Sequence, residues 1–124
     1  QLRPNIHIKD MVKAYDVLID AKKSEVSGEI FNAGYENKTV LDLANTVKTV
    51  IGEDVQLKST PTDDNRSYHI SSEKIRQELG FTAKSSIEDA AQDLVTAIGD
   101  GRVPDAMNDN RYYNIKAMQY INLT

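Results

Sequence analysis

Arg3-Pro4-Asn5-Ile6-His7-Ile8-Lys9-Asp10-Met11-Val12-Lys13-Ala14-Tyr15 is the stretch on which the reading of this chain turns. Its first half is extended in character, with Ile6-His7-Ile8 as a short apolar run. Its second half is helical. Asp10 is placed to cap a helix, because its carboxylate can accept N–H groups that a first turn leaves unpaired. Met11, Ala14, Tyr15, Leu18 and Ala21 then recur at helical spacing and predict one buried face about three turns long. Lys22 and Lys23 fall in the last turn, where positive charge suits the helix dipole. Ser27-Gly28 breaks the pattern.

Outward from this unit the alternation repeats. Glu29-Ile30-Phe31-Asn32-Ala33-Gly34 reads as a strand ended by glycine. Thr39 and Asp42 have capping-box spacing, with Asp in place of Glu. Val40, Leu43, Ala44, Val47, Val50 and Ile51 form the next helical stripe, closed by Gly52. Val55 to Lys58 alternates like a half-buried strand ahead of Pro61. Thr60 to Arg66 is a polar loop, and Ser67 to Ile70 reads as a brief strand. Ser71 or Ser72 caps a short helix carrying Ile75 and Leu79 and ended by Gly80. Ser86 and Asp89 again have capping-box spacing, ahead of Ile87, Ala90, Ala91, Leu94, Val95 and Ile98. After Gly99 the periodicity fails. Residues 101–124 hold Pro104, four Asn and three Tyr, and read as an irregular tail with one weak helix. The sum is roughly βαβαβ(β)αα, a small mixed α/β domain over residues 1–98 followed by a tail over 99–124.

With 124 residues there is one domain's worth of chain. A chain of this length buries about 65% of its unfolded surface, enough for a core without staples. Cysteine is absent, which excludes a disulfide scaffold, a thiolate metal site and a cysteine nucleophile. Fifteen Lys and Arg against nineteen Asp and Glu give a net charge of −4, so nucleic acid is not an expected partner. No apolar run nears the roughly 20 residues of a spanning helix and no signal peptide is visible. No membrane partner is expected, and a cytoplasmic location is. The chain starts at Gln1 and opens like the interior of a longer sequence, so a fragment is expected.

Most chemistry is excluded by residue type and spacing. His7 and His69 are far apart, no H-x-x-x-H spacing exists, and no calcium-loop pattern occurs. His7, between two isoleucines, reads as a packed strand residue, and Asp63-Asp64 as part of a turn. There is no G-x-S-x-G elbow. The serines at 71–72 and 85–86 are explained by capping. Neither G-x-G-x-x-G nor a P-loop is present, and Gly99-Asp100-Gly101 follows a helix instead of leading into one. Tyr112 and Lys116 match the Tyr-x-x-x-Lys spacing that sets a phenol beside an ammonium. They lie in the irregular tail of a chain with six Tyr, and read as a chance pair. No catalytic, cofactor-binding or metal-binding residue is therefore assigned. Arg3 and Arg66 stand out, since the planar guanidinium fork suits two phosphate oxygens at once.

The opening stretch resembles the R-x-x-I-H-V-x-D-x-x-x-A motif of nucleotide-sugar epimerases and dehydratases, which are extended short-chain dehydrogenase/reductases. Ile30-Phe31-Asn32-Ala33-Gly34 resembles that family's Y-N-V-G strand end, and Thr39-Val40-Leu41-Asp42-Leu43-Ala44 the helix start after it. Asp64-Asn65-Arg66-Ser67-Tyr68, with Ser72-Glu73-Lys74-Ile75 and Leu79-Gly80-Phe81, resembles the D-x-R-x-Y…K…L-G-[FW] block. Ser86-Ile87-Glu88 resembles the start of the last helix. The likeness runs from about residue 3 to residue 98, and its specificity lies in order and spacing.

That resemblance implies the carboxy-terminal, substrate-side portion of a Rossmann-type subunit. The parent would hold NAD or NADP through a glycine-rich loop and use a Tyr-x-x-x-Lys pair, neither of which falls in this stretch. The implied ligand is a nucleoside-diphosphate sugar. Arg3 and Arg66 would contact its diphosphate. Asn5 occupies a position near the nucleotide that is usually aromatic in the family. His7, Asp10 and Asn32 would be structural: strand packing, helix cap and strand-end backbone bonding. The chain by itself would carry no cofactor and no activity. Its Ile6–Ile8 and Ile30–Ala33 strands would present an exposed sheet edge, so that the isolated chain self-associates or is only marginally stable. The alternative reading is a free-standing small binding or protein-interaction module without catalytic activity.

Overall fold

A computed structural model describes residues 1–52, 54–61, 63 and 66–121. Its sheet is a two-stranded antiparallel ribbon of β1 (Leu2–Asn5) and β2 (Glu36–Thr39). Leu2 faces Thr39, Arg3 faces Lys38, Pro4 faces Asn37 and Asn5 faces Glu36. The strand expected at Ile6–Ile8 therefore lies earlier, and the chain is already turning into α1 (Ile8–Asp20) by Ile8. His7 is the reason. It is the N-cap, its Nδ1 accepts the Lys9 N–H at 3.1 Å, and its carbonyl accepts from Asp10 and Met11 at 3.0 and 2.9 Å. His7 is buried as expected, but as a helix cap and not as a strand residue.

Asp10 is not the cap. It sits in the first turn and turns its carboxylate inward, where it accepts the backbone N–H groups of Lys84 at 2.9 Å and Ser85 at 2.7 Å. Those bonds fix the rotation of α1. The buried side is Asp10 and Ala14, with Val17 packed beside them, and Tyr15 of the expected face is 63% exposed. The helix ends at Asp20 with no basic residue in its last turn. Lys22 and Lys23 instead begin the short α2 (Lys23–Val26), where the Lys22 N–H donates to Glu25 Oε2 at 3.0 Å.

Residues 29–34 run without a ladder partner, so the strand expected there does not form. Side chains hold the segment instead. Lys74 Nζ donates to Glu29 Oε2 at 2.6 Å and to the Ile30 carbonyl at 3.2 Å, and lies 4.7 Å from the centre of the Phe31 ring. The Ser72 hydroxyl accepts the Gly34 N–H at 2.8 Å and donates to the Gly34 carbonyl at 3.0 Å. Asn32, expected to do this bonding, is exposed.

The expected strands at 55–58 and 67–70 are likewise irregular. The second of these still follows the ribbon. The Leu2 N–H donates to Ser67 Oγ at 2.9 Å, and the Tyr68 N–H donates to the Leu2 carbonyl at 3.3 Å. The Asn37 amide completes the attachment, donating to the Ile70 carbonyl and accepting the Ile70 N–H, both at 3.0 Å. One side-chain amide thus does the work of a ladder rung.

The helices with capping boxes form where the sequence puts them. In α3 (Val40–Ile51) Thr39 Oγ1 accepts the Asp42 N–H at 3.1 Å, and Gly52 ends the helix at a φ of 140°. In α5 (Ile87–Gly99) Ser86 Oγ accepts the Asp89 N–H at 3.1 Å, and Asp89 returns the bond to the Ser86 N–H at 2.8 Å. Between them α4 (Glu73–Leu79) starts after Ser72 and ends at the left-handed Gly80. The core is small: Ala14, Ile75, Phe81 and Ala83 are buried, with Ile6, Val17, Phe31, Ala33 and Leu79 packed against them.

The backbone forms two compact units, residues 1–92 and 93–124. In the second, a 3-10 turn (Asn110–Tyr112) leads into α6 (Asn114–Tyr120), and the Tyr113 hydroxyl donates to the Met107 carbonyl at 2.8 Å. Among the described residues no helix is long and apolar enough to cross a membrane.

Candidate functional site

Residues two apart on a strand share a face, so β1 carries Arg3 and Asn5 on one side of the ribbon. The Arg3 guanidinium donates from Nη1 to the Arg66 carbonyl at 2.5 Å and to the Leu2 carbonyl at 2.9 Å. Its Nη2 reaches Gln1 Oε1 at 3.4 Å. Its Cζ lies 5.3 Å from the centre of the Tyr68 ring, within cation–π range. The structure therefore brings together Arg3 and the backbone of Arg66, which are 63 positions apart. Arg66 itself is exposed. Asp64 and Asn65 of the same sequence block lie outside the described residues.

Asn5 is half-buried, and its Nδ2 turns back to donate to the Arg3 carbonyl at 2.7 Å. Its own carbonyl accepts the Tyr35 N–H at 2.7 Å. With Tyr35, Ser86 and Ile87 it lines a recess of about 120 Å³. A larger groove, of about 710 Å³, lies elsewhere, against Phe81 and Leu79. Its lining sets Asp10, Asp16, Asp20, Glu25 and Glu78 against Lys13 and Lys84, an excess of negative charge. Like-charge repulsion makes it a poor place for a phosphate, whatever its size.

The residues opposite the candidate site were not evident in the sequence. Lys38 faces Arg3 and Glu36 faces Asn5 across the ribbon. Lys38 Nζ is 3.4 Å from Glu36 and 3.6 Å from Glu88. Burial alone would lower its pKa, but the Glu36 bond and the charges of both glutamates outweigh burial and hold it above its ordinary 10.5. Glu36-Asn37-Lys38-Thr39 has poor strand propensity, so nothing local marks it as a strand. Tyr68 could have been found, since it stands two residues after Arg66 in a block already singled out.

Among the described residues no group of three or more His, Asp or Glu could hold a metal ion. Lys116 stacks on Tyr113, 4.5 Å from its ring centre, while Tyr112 is beside Arg111.

No protein-family model matches the chain, and no curated protein matches it. Its fold, a small mixed α/β unit around a two-stranded ribbon, is nevertheless one found as a segment of a larger enzyme. That enzyme is Bordetella bronchiseptica WbmF, which matches in its complex with NAD+ and UDP and in its complex with NADH. The TM-score is 0.65 in both cases, at 20% and 22% identity. The match covers 99% of this chain and 34% of WbmF, so this chain spans about a third of that enzyme's length. The mixed α/β fold expected from the motif resemblance is the one found.

Proposed function

We propose that this chain is the nucleotide-sugar-binding portion of an NAD(P)-dependent sugar epimerase or dehydratase, without hydride chemistry of its own. Arg3 and Arg66 hold the diphosphate, and Asn5 lies toward the nucleotide. The observation that carries this reading is the Arg3–Arg66 approach. The Arg3 guanidinium meets the Arg66 backbone carbonyl, 63 positions away, at one ribbon edge beside Tyr68. A ligand carrying two phosphates would take charge-assisted bonds from both forks. The fold shared with WbmF supports the reading, and WbmF was crystallised with UDP.

We assign no dinucleotide site to this chain. Gly28, Gly52, Gly80 and Gly101 have positive φ, and each follows a helix instead of opening one. Nicotinamide chemistry in the proposed parent belongs to another part of it. A cytoplasmic location and self-association belong to the same reading.

Titration of the chain with UDP and with purine nucleoside diphosphates, followed by amide chemical shifts, tests the proposal. Binding is expected to perturb Leu2–Asn5 and Arg66–Tyr68. Arg66→Ala and Arg3→Lys are each expected to weaken it by about ten-fold, or about 1.4 kcal/mol. No binding at millimolar ligand, or binding indifferent to both substitutions, overturns it.

A further inference from the structure

Residues directly opposite each other in an antiparallel pair share a face of the ribbon. The face that carries Arg3 and Asn5 therefore also carries Lys38, opposite Arg3, and Glu36, opposite Asn5. Its chemistry changes along the strands. One rung is cationic, Arg3 with Lys38. The next on that face, about 6.8 Å along, sets an amide beside a carboxylate. Asn5 commits its Nδ2 donor to the Arg3 carbonyl at 2.7 Å, so Glu36 is left as an acceptor on this rung. Glu36 does little to hold the ribbon together. Its ion pair with Lys38 spans 3.4 Å, the side chains are 29% and 23% exposed, and Lys38 has a second partner in Glu88 at 3.6 Å. A partly exposed pair of that kind contributes little stability. An ionised carboxylate offers about four acceptor positions and no donor, so the Lys38 contact leaves room for further donors.

We propose that Glu36 reads the ribose of the nucleotide, its carboxylate accepting from the 2′- and 3′-hydroxyls, so that the chain takes ribonucleoside diphosphates in preference to their 2′-deoxy counterparts. The inference rests on the reading of Arg3 and Arg66 as a diphosphate clamp with Asn5 toward the nucleotide, and it adds the sugar between them. A vicinal diol presents two O–H donors side by side, and one carboxylate can accept both. An acidic side chain on a ribose hydroxyl is an arrangement that nucleotide-binding proteins use elsewhere. The same carboxylate repels phosphate, which fixes the direction of the ligand. The phosphates take the Arg3 rung and the nucleoside takes the Asn5 rung. One step along the face suits the C5′ and O5′ atoms that separate the ribose ring from the first phosphate. Lys38, beside Glu36, offsets the charge of that carboxylate next to an anionic ligand.

Calorimetric titration of the whole chain with UDP and with 2′-deoxyuridine 5′-diphosphate tests this. Uracil carries no exocyclic amino group for a carboxylate to accept from, so the pair of ligands isolates the sugar. The wild type is expected to hold UDP about ten-fold tighter than the deoxy ligand. Glu36→Gln, which keeps the shape and removes the charge, is expected to cut that preference to about two-fold. Binding of inorganic pyrophosphate should be no weaker in Glu36→Gln than in the wild type, because a carboxylate is not what holds the phosphates. Glu36→Asp, shorter by one methylene, is a second variant and should lose part of the preference. The wild-type comparison needs no variant: equal affinity for the two ligands overturns the inference and leaves the diphosphate reading standing. A preference that survives Glu36→Gln undiminished also overturns it and assigns the sugar to another group. Failure of both ligands to bind at millimolar concentration overturns the diphosphate reading, and this inference with it.

Discussion

Asp10 and Ser85, 75 positions apart, are joined by a 2.7 Å hydrogen bond from the Ser85 backbone N–H to the Asp10 carboxylate. Lys84 donates a second at 2.9 Å. The carboxylate residue is only 4% exposed, so these bonds are made where water competes poorly. Asp10→Ala leaves two N–H groups without their acceptor and is expected to cost about 3 kcal/mol of stability, measured by urea unfolding.

The same pair sets an acid limit. Burial alone would raise the Asp10 pKa, but the bonds from Ser85 and Lys84 and the nearby His7 outweigh it, and the net value falls below the ordinary 3.8. A depressed folded-state pKa gives stability that is present above the unfolded value and lost as pH falls through the folded one. The urea midpoint of the wild type should therefore drop as pH falls below about 4. The Asp10→Asn protein should start less stable and show a shallower drop.

Asn37 touches no proposed ligand, yet its amide positions the segment that carries Arg66 and Tyr68 through its two bonds to Ile70. Asn37→Ala is expected to lower nucleoside-diphosphate affinity by about three- to ten-fold, through a looser 66–70 segment. Calorimetric titration checks the affinity, and faster amide exchange at Ile70 checks the cause.

Gly34 is confined by a close approach. A Cβ there would lie 2.9 Å from Ile70 Cδ1 and 3.4 Å from Cγ1. Gly34→Ala is expected to destabilise by about 1 kcal/mol, since the obstruction is the end of a side chain that can shift. Adding Ile70→Val, which removes Cδ1, should recover part of the loss in a double-mutant cycle.

Ser86 caps α5 with the reciprocal Asp89 bond, and Thr39 caps α3. Ser86→Ala and Thr39→Ala should each cost about 1 kcal/mol by chemical denaturation. The two caps are on different helices and share no bond, so the double substitution should be additive to within about 0.5 kcal/mol.

The parts of the fold written in local chemistry were legible. Thr39–Asp42 and Ser86–Asp89 encode their caps within four residues, and Gly52 and Gly80 end helices where glycine should. What depends on partners elsewhere in the chain was not. Ile30–Ala33 has strand composition, but a strand exists only where another offers a ladder, and here Lys74 and Ser72 hold it by side chains. Glu36–Thr39 has the reverse character and pairs because β1 lies beside it. The rotation of α1 could not be read from periodicity, because both sides of that helix are apolar and the choice is made by Asp10 reaching Lys84 and Ser85. Of the candidate site, the two arginines were visible through motif spacing. Lys38 and the Arg3–Tyr68 stacking required the register and the third dimension.

The attachment of Ile70 by a side chain also makes the chain editable. The stretch between α3 and Ser67 is anchored at one end by the Gly52 cap and at the other by Leu2 and Asn37. Closing a flexible loop costs entropy that grows only logarithmically, about 0.6 kcal/mol for each doubling of length. Foreign sequence spliced in between Gln56 and Ser59 would leave the bonds at Gly52, Leu2 and Asn37 in place. The protein is thus a scaffold with a graft point a few residues upstream of Arg66, where a binding loop of new specificity could be carried.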